Sequence, residues 1–501
     1  MDRRDFLKVA AFSTLGLGLT CTGTPALARG IPAKAFPGGG PGRCFVLPKN
    51  QVVVPLLDLF KIGPGPSSSH TLAPLRIASN FRETVAALPK DVLARAERFE
   101  AHLYGSLSAT GRGHRTDRAV LAGLLGQKPE TCDPKVMDAL ADEKAVFPTV
   151  IGGKAFRIAH SVVVWDAVEH SYPFSNTLVM RLVDAKGAAL FEREYYSPGG
   201  GFFAWKGQPP AKRGTPRHVF GNMAEFRKLA KDTGKPLHQL MLENEMDILG
   251  VGEAEVFKHL DMVLKTMADG VDLGLSETGL LPGPFEMHRK ARVLFDKARA
   301  MGEADGFMQR VSSYAIAVSE GNAAGRLAVT APTLGSAGTM PALVYVMQNE
   351  LKLPRDAMRK GMLAAGLVGL LCKTNASVAG AEVGCQGEIG VASAMAAAMM
   401  AYATGADLAA TELAATIALE HHLGMSCDPV GGFVLIPCIE RNAFGALKAY
   451  NAALMAKSEI VEQHWEDLDR VVAAMLETGK ALPPQFREMG TAGLGVTMVD
   501  C

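Results

Sequence analysis

The chain has 501 residues, which is too long for one ordinary domain and suits two or three. Apolar residues make up 48% and charged residues 21%, so the chain can bury large cores and is not disordered throughout. The 52 basic and 51 acidic side chains leave a net charge of +1, which disfavours a nucleic-acid partner. Apolar stretches end before about 18–20 residues accumulate, which excludes a protein with several membrane spans.

The first 28 residues have the pattern of an export signal. A segment rich in charge, residues 2–8, precedes an apolar stretch from Val9 to Leu19. The sequence Ala-Leu-Ala follows at residues 26–28, with the small residues that a cleavage site needs. The paired Arg3-Arg4 is similar to a twin-arginine signal, which directs folded proteins to an export machinery. The pattern predicts cleavage after Ala28, a periplasmic location and no stable membrane insertion. If the signal is not used, the segment is an inert tail of a cytoplasmic protein.

A Gly/Pro-rich linker is predicted at residues 29–50, and an α/β domain follows at 51–207. This domain begins with a β-rich apolar stretch at Val52–Val54 and continues into a Gly/Pro/Ser loop at residues 63–71. Apolar periodicity predicts a helix from Leu72 to Leu88. Alternation and β-branched residues predict strands within Phe99–Tyr104, Ala155–Trp165 and Thr177–Val183.

A second linker is predicted at residues 208–218, because prolines, charges and a glycine interrupt any apolar period there. From residue 219 to 501 the chain is predicted to be all-α, since long Ala/Leu/Met-rich segments dominate. The predicted helices include Val256–Met267, Lys290–Ala300, Gly361–Cys372, Val391–Ala403 and Asp407–Leu423. The whole chain is therefore predicted to be of the α+β class, with an α/β domain before an all-α domain.

Cysteine placement points to a metal site. Seven of the eight cysteines remain after the signal, and none forms a Cys-x-x-Cys pair, which excludes zinc ribbons and thioredoxin-like motifs. Cys385 lies on a glycine-punctuated bend, Cys427 and Cys438 flank the turn Asp428–Gly432, and Cys501 is the final residue. Soft thiolates favour iron–sulfur clusters or zinc over hard cations. A buried cysteine can equally be a small apolar side chain, so spacing alone leaves both interpretations open.

Ten collinear blocks carry a family resemblance. They are Asp58–Thr71, Leu103–Leu107, Gly113–Asp117, Tyr196–Phe202, Asn322–Arg326, Ala331–Thr333, Asn375–Ser377, Gly380–Glu388, Cys427–Gly432 and Pro437–Asn442. With these blocks the sequence resembles the single-chain form of the iron–sulfur-dependent L-serine dehydratases over nearly its whole length after Gln51. The resemblance implies conversion of L-serine to pyruvate and ammonia by a homodimer with an α/β regulatory-type domain and an all-α cluster domain.

The resemblance also implies a 4Fe–4S cluster held by Cys385, Cys427 and Cys438. The fourth iron is left for the substrate hydroxyl, which it binds as a Lewis acid. Cys501 matches the C-terminal cysteine that caps this iron at rest. A chain end suits that role because it moves away at little conformational cost.

Breaking the Cα–H bond of serine requires a base, and His70 and His114 are the candidates, with His114 preferred. Hydroxyls on the same loop as His70 are predicted to hold the substrate carboxylate: Ser67, Ser68, Ser69 and Thr71. Thr333 and Asn375 are predicted substrate contacts. A Ser-rich turn and ordinary helix caps are the structural alternatives for these residues.

Three alternatives remain at this level. Leu334 replaces an asparagine common in the family, so threonine or another hydroxy amino acid is a second substrate to test. A pyridoxal-phosphate enzyme would need a Schiff-base lysine, for which Lys373 is the nearest candidate. A non-catalytic iron–sulfur sensor or electron carrier would close all four cluster positions with protein ligands.

Overall fold

The computed structural model describes residues 51–209, 213–461 and 464–497. Its strands are β1 (Ile62–Pro64), β2 (Ala96–Tyr104), β3 (Phe147–Ile151), β4 (Lys154–Ile158), β5 (Val163–Trp165), β6 (Thr177–Asp184), β7 (Ala189–Tyr196), β8 (Ala204–Trp205) and β9 (Leu327–Val329). Five of them form a mixed sheet in the order β5–β2–β6–β7–β8, in which only β5 and β2 are parallel. Strands β3 and β4 form a separate antiparallel pair.

One face of this sheet is covered by helices. The helices of this part of the chain are α1 (Ala73–Ala86), α2 (Lys90–Arg95), α3 (Ser106–Thr110), α4 (Thr116–Leu124) and α5 (Pro134–Ala139). Along β2, Phe99, Ala101 and Leu103 are buried while Glu100 and His102 are partly exposed. Because side chains alternate between the faces of a strand, this pattern puts one face of the sheet in the core. Helices α1 and α4 supply the other side of that core.

The remainder of the described chain is mainly helical. Its helices are α6 (Met223–Thr233), α7 (Leu237–Leu249), α8 (Glu253–Ser276), α9 (Ala291–Ala298), α10 (Glu303–Ala323), α11 (Thr339–Tyr345), α12 (Arg355–Asn375), α13 (Gly380–Val383), α14 (Ile389–Ala403), α15 (Leu408–Glu420), α16 (Cys438–Ser458), α17 (Leu468–Ala481) and α18 (Leu494–Thr497). Every residue of α14 except Tyr402 is buried, as expected for a helix that is apolar on all sides. Helices α12, α15 and α16 pack around it.

The segment from residue 51 to residue 72 joins the two regions. Leu56, Leu59 and Phe60 lie in the helical core, although they precede the sheet in the chain. The backbone N–H groups of Leu56 and Leu57 donate to the carboxyl of Glu245 on α7 at 2.7 and 3.0 Å. Strand β1 then pairs antiparallel with β9 of the helical region. The loop that follows β1 is therefore anchored in the helical layer just before the chain enters the sheet region at α1.

The predicted α+β class is confirmed, with one three-residue strand, β9, inside the mainly helical part. The predicted helix from Leu72 is α1, and the predicted strand at Thr177–Val183 lies within β6. The stretch Ala155–Trp165 is divided between β4 and β5 by a 3₁₀ turn. The predicted domain boundaries stay predictions, and the predicted signal and first linker lie outside the described residues.

The expectation of β-structure at Val52–Val54 was wrong, because no strand forms there. Pro55 follows at once and has no N–H to donate to a ladder. Val52 is buried in the helical core, and its N–H donates to the carbonyl of Phe220 at 3.0 Å. In the part of the chain that the structure describes, no helix is both long enough and apolar enough to cross a membrane.

Candidate active site

Three cysteines from separate segments of the chain line one small cavity of about 20 Å³. The other side chains that line it include Ser67, His114, Glu388 and Glu488, and Gly335 borders it through its backbone. The sheet-side residues Ser67 and His114 thus meet the cysteines of the helical region here. The structure brings together five of the predicted site residues, namely Ser67, His114, Cys385, Cys427 and Cys438.

Each cysteine is placed by a backbone feature. Cys385 begins a 3₁₀ turn after Gly384, whose φ of +76° favours glycine and at which a Cβ would lie 2.6 Å from the carbonyl oxygen of Met425. Cys427 is bonded through its backbone on both sides, since its N–H donates to Phe486 at 2.8 Å and its carbonyl accepts from Glu488 at 2.7 Å. Cys438 is the first residue of α16.

The thiols influence one another because they are enclosed. A hydrogen bond from Cys427 lowers the pKa of the Cys385 thiol and raises the pKa of Cys427 itself. Burial raises the pKa of Cys438. Burial also opposes the charge of the nearby Arg441, but negative charge on the three cysteines outweighs it and raises the pKa of this guanidinium. Arg441 therefore offsets the charge of thiolates in the cavity.

A glycine keeps one side of this small cavity free of a side chain. A Cβ at Gly380 would lie 3.2 Å from Cys427 Sγ and 2.7 Å from Glu388 Oε2, so only glycine leaves this side of the site open. Ligand atoms of Cys385, Glu388 and Cys427 lie within 4.8 Å of one another, a group that could hold a metal ion. Thiolates in such a cluster are the donors that soft metals and iron–sulfur clusters take.

Two carboxyl groups were missed by sequence reasoning. Burial, with the charge of Glu488 second, raises the pKa of Glu388 to about 8. Burial also raises the pKa of Glu488 to about 8. Glu388 ends the block Gly380–Glu388 and could have been suspected from its position three residues after Cys385. Glu488 carries no such signal, because it lies in an irregular segment after α17.

His114 lines the cavity, and one of its ring nitrogens has a defined partner. Its Nδ1 lies 2.8 Å from the carbonyl oxygen of Thr110, and since a carbonyl only accepts, Nδ1 carries the hydrogen. In the neutral ring the lone pair is then on Nε2. Burial, followed by the charge of His70, lowers the pKa of His114 to about 3, so the ring is neutral at physiological pH. A neutral imidazole with an unprotonated Nε2 can accept a proton.

His70 differs because both of its ring nitrogens are bonded within the protein. Its Nε2 lies 3.1 Å from the hydroxyl oxygens of Ser106 and Thr110. Both hydroxyls donate their hydrogens to backbone carbonyls, so they accept from the Nε2–H of His70. Its Nδ1 lies 2.8 Å from Ser69 Oγ and 3.4 Å from Glu488 Oε1. The ring of His70 lies 4.5 Å from that of His114, centroid to centroid, with the two planes tilted by 34°, and His70 is completely buried.

The hydroxyls of the loop before α1 have separate partners. Thr71 Oγ1 donates to the carbonyl of His114 at 2.7 Å, and Thr116 Oγ1 donates to the carbonyl of His70 at the same distance. Ser68 Oγ accepts from the N–H of Leu334 at 3.2 Å. Of the four predicted hydroxyls, only that of Ser67 belongs to a residue that lines the cavity, and it accepts from the N–H of His70 at 3.2 Å. Those of Ser68, Ser69 and Thr71 bond to other protein groups.

The remaining predicted residues divide between the cavity's edge and more distant places. Thr333 does not line the cavity, and its Oγ1 lies 3.1 Å from Ser336 Oγ. It is close enough to Glu388 for its hydroxyl to act against the raised pKa of that carboxyl. Asn375, at the end of α12, donates to the carbonyl of Gly221 at 2.7 Å and does not line the cavity. Lys373 lies 4.2 Å from the ring of Phe202 and is likewise not part of the lining. Cys501 lies outside the described residues.

Two family models match the chain in succession. The model for the serine dehydratase beta chain matches residues 55–208, and the model for the serine dehydratase alpha chain matches residues 232–495. The first match contains His70 and His114, and the second contains the three cysteines of the cavity. The chain thus joins in one polypeptide what the two models describe separately.

Several similar proteins have the same breadth of match. An L-serine dehydratase of Streptomyces coelicolor is 38% identical over 463 residues, which cover 90% of this chain and 100% of that protein. An L-serine dehydratase of Haemophilus influenzae is 36% identical and covers 89% of this chain and 100% of its own length. L-serine dehydratase 2 of Escherichia coli is 36% identical, with coverage of 90% and 100%.

Proposed function

The chain belongs to the serine dehydratase family, and on that premise we propose that it is an L-serine ammonia-lyase that forms pyruvate and ammonia. One observation carries the proposal. Three thiols and a neutral histidine with an unprotonated Nε2 line the same enclosed cavity. This combination places soft metal ligands beside a proton acceptor, which is what an elimination across Cα and Cβ needs.

The cofactor proposed for this cavity is a 4Fe–4S cluster held by Cys385, Cys427 and Cys438. The donor set fits, because all three ligands are thiols, Arg441 offsets their charge and Gly380 leaves the site open. When bound, such a cluster with one iron free of protein thiolate supplies a Lewis acid for the substrate hydroxyl. The proposed cap on that iron is Cys501.

The proton is proposed to move through His114. Its Nε2 accepts the proton from Cα of serine. The hydrogen bond from Nδ1 to the carbonyl of Thr110 keeps the ring in the required tautomer. The hydroxyl of Ser67 is the proposed donor to the substrate carboxylate, since it lines the cavity. Loss of water leaves an enamine, and addition of water to its imine form releases pyruvate and ammonia.

Four of the other predicted residues support this geometry without touching the substrate. His70 is assigned the role of holding His114, because the two rings are in contact and His70 is bonded at both nitrogens. Ser68, Ser69 and Thr71 fix the loop that carries Ser67. Thr333 and Asn375 remain proposed substrate contacts. Thr333 is the better placed of the two, because it is close to Glu388, which lines the cavity.

The test is anaerobic reconstitution of the full chain with iron and sulfide, followed by assays of pyruvate from L-serine and 2-oxobutanoate from L-threonine. We expect pyruvate formation, and we expect Cys385→Ala to abolish both cluster binding and activity. Cys372→Ala is the matched control, because Cys372 is buried in α12 and does not line the cavity. Undiminished pyruvate formation by Cys385→Ala would refute the cluster proposal. Faster turnover of threonine than of serine would revise the substrate.

We also propose that the enzyme is a homodimer and that residues 1–28 direct it to the periplasm. The paired arginines of the N-terminal segment support export. Cell fractionation tests it: Arg3→Lys together with Arg4→Lys should keep the protein in the cytoplasm. An unchanged distribution would count against export. Mass measurement of the reconstituted protein in solution tests the dimer.

A further inference from the structure

A second cleft of about 90 Å³ lies next to the cysteine cavity and is lined by three arginines, Arg112, Arg115 and Arg118. We call it the arginine cleft. Its other walls come from Pro66, Gly113, Pro282, Gly283, Ala323 and the segment Phe433–Leu435. Its volume admits several water molecules, which suits a small carboxylate and is too little for a nucleotide.

No carboxylate of the described residues forms an ion pair with any of these arginines. Of the acidic groups nearby, Asp117 lies 3.3 Å from His160, and Glu277 binds both Arg289 and Arg326. Asp138 and Asp117 act on Arg115 through their charge, without an ion pair. Arg112 is exposed and lies 4.7 Å from the ring of Trp165. Three cations that converge without a counter-ion attract anions to the cleft.

Arg115 is the most constrained of the three. Only 6% of its surface is exposed, and its guanidinium donates to the carbonyls of Ala324 and Ala323 at 3.1 and 3.2 Å. A Cβ at Gly325 would lie 2.2 Å from Arg115 Nη1, so glycine is needed to admit this group. A buried cation without a carboxylate partner is costly, and a bound anion would offset that cost.

The backbone at Arg115 points to the same conclusion. Its φ of +58° lies in the left-handed region, which is uncommon for a residue with a long side chain. Burial, followed by the charge of Arg118, lowers the pKa of Arg115 to about 10, and nearby Asp138 offsets only part of this. The fold thus maintains an unusual conformation and an unfavourable charge at this position.

The cleft and the cysteine cavity are direct neighbours. Pro66 lines the cleft and Ser67 lines the cavity, and Gly113 and His114 are divided in the same way. Val434 borders both spaces. One peptide unit on each of two loops, together with one valine, therefore separates the arginines from the proposed base and the thiols.

We propose that the arginine cleft is an outer carboxylate-binding site through which the amino acid passes to the cavity and the 2-oxo acid leaves it. The proposal rests on the proposed function for the identity of the carboxylate. Arg112 and Arg118 attract the carboxylate from solvent, and Arg115 binds it next to the wall formed by Val434.

The test uses the reconstituted holoenzyme and measures kcat and KM for L-serine at several ionic strengths. Arg118 is half-buried, so its substitution does not disturb a core. Arg118→Gln should raise KM about fivefold with kcat unchanged, and it should weaken the fall of kcat/KM with added salt. Arg118→Lys, which keeps the charge, should restore most of the affinity.

Lys186→Gln is the matched control, because it removes one positive charge at the exposed turn between β6 and β7. It should leave KM and the salt dependence as in the wild type. If Arg118→Gln behaves like this control while the wild type turns over serine, the cleft proposal is wrong and the proposed function stands.

If the wild type does not turn over serine, calorimetric titration with sodium pyruvate decides the matter independently. Pyruvate binding that weakens in Arg118→Gln would support the cleft as a carboxylate site. Equal binding, or none, would overturn it.

Discussion

The cysteines and His114, with His70 against it, come together at one cavity from separate parts of the chain, and the fold holds the two groups in different ways. The cysteines are placed by the backbone, through the bend at Gly384, the bonds on both sides of Cys427 and the start of α16. The histidines are held by bonds to their rings and to their carbonyls.

This difference matters for chemistry. Backbone placement leaves the thiols of Cys385, Cys427 and Cys438, here called the cysteine side, free to bind a ligand. The charge of the cysteine side therefore depends on what is bound there. At His70 and His114, here called the histidine side, hydrogen bonds to the rings determine which nitrogen carries the hydrogen. The histidine side is therefore set by the protein before any ligand arrives, whereas the cysteine side is completed by its ligand.

The largest effect is expected from comparing the two histidines. His114→Gln should lower kcat by about 10²–10⁴-fold, because it removes the proposed proton acceptor, while iron and sulfide content stay unchanged. His70→Gln should lower kcat by only about tenfold, since His70 positions His114 without meeting the substrate. Steady-state kinetics on reconstituted, metal-analysed protein make the measurement.

An equal or greater loss in His70→Gln would reverse the assignment of the two rings. Loss of iron in His114→Gln would show that the histidine side is not independent of the cysteine side. His422→Gln is the control, because His422 is buried and bonded to the carbonyl of Ala418 but does not line the cavity. It should retain kcat.

A smaller effect concerns Glu245, which anchors the histidine-bearing segment in the helical layer. Burial raises the pKa of Glu245 to about 7, against the opposing bonds from Leu57 and Leu56. Because the folded pKa lies above the unfolded one, the contribution of Glu245 is fully present below about pH 4.5. It is lost as the pH rises through 7, and it amounts to at most about 3 kcal/mol.

The urea midpoint of the wild type should therefore fall relative to that of Glu245→Gln between pH 5 and pH 8, because glutamine does not ionise. Glu243→Gln is the control on the same helix. Burial acts against ionisation there, but bonds from Lys235 and His218 hold the pKa of Glu243 at about 2. Its folded and unfolded pKa values both lie below the window, so its midpoint should keep a constant offset from the wild type. Parallel curves for Glu245→Gln would contradict the raised pKa.

Much of the fold was predictable because its signals are local. Alternation along Phe99–Tyr104 and apolar segments such as Val391–Ala403 correspond to β2 and α14. The prediction of β-structure at Val52–Val54 was wrong, because the conformation there depends on contacts with residues far along the chain. Val52, for example, is buried in the helical core and bonds to Phe220. β-propensity is context-dependent, and here tertiary packing overrode it.

The site was predictable where short blocks carry it, as with Cys385 and His114. Glu488 could not be predicted, because only the folded chain brings its carboxyl to Ser69, at 3.2 Å. The division of the hydroxyls was equally hidden, since Ser67 and Thr71 belong to one motif yet have different partners. The tautomer of a histidine and the partners of a hydroxyl depend on atoms that are distant in the sequence and become neighbours only in the folded chain.

The smallest effect should come from the two threonine hydroxyls that donate to the backbone carbonyls of His70 and His114. Thr116→Val keeps the shape but leaves the carbonyl of His70 without its 2.7 Å donor, which costs about 1 kcal/mol. We expect kcat to fall about fivefold with iron content unchanged, because the His70 ring that supports His114 is loosened. Thr116→Ser, which restores the hydroxyl, should recover kcat. Thr416→Val removes a similar buried bond, to Glu412 in α15, and should leave kcat unaffected. If both valine variants lower kcat equally, the threonine bond at His70 is only structural, and the rigid histidine side is not what sets the rate.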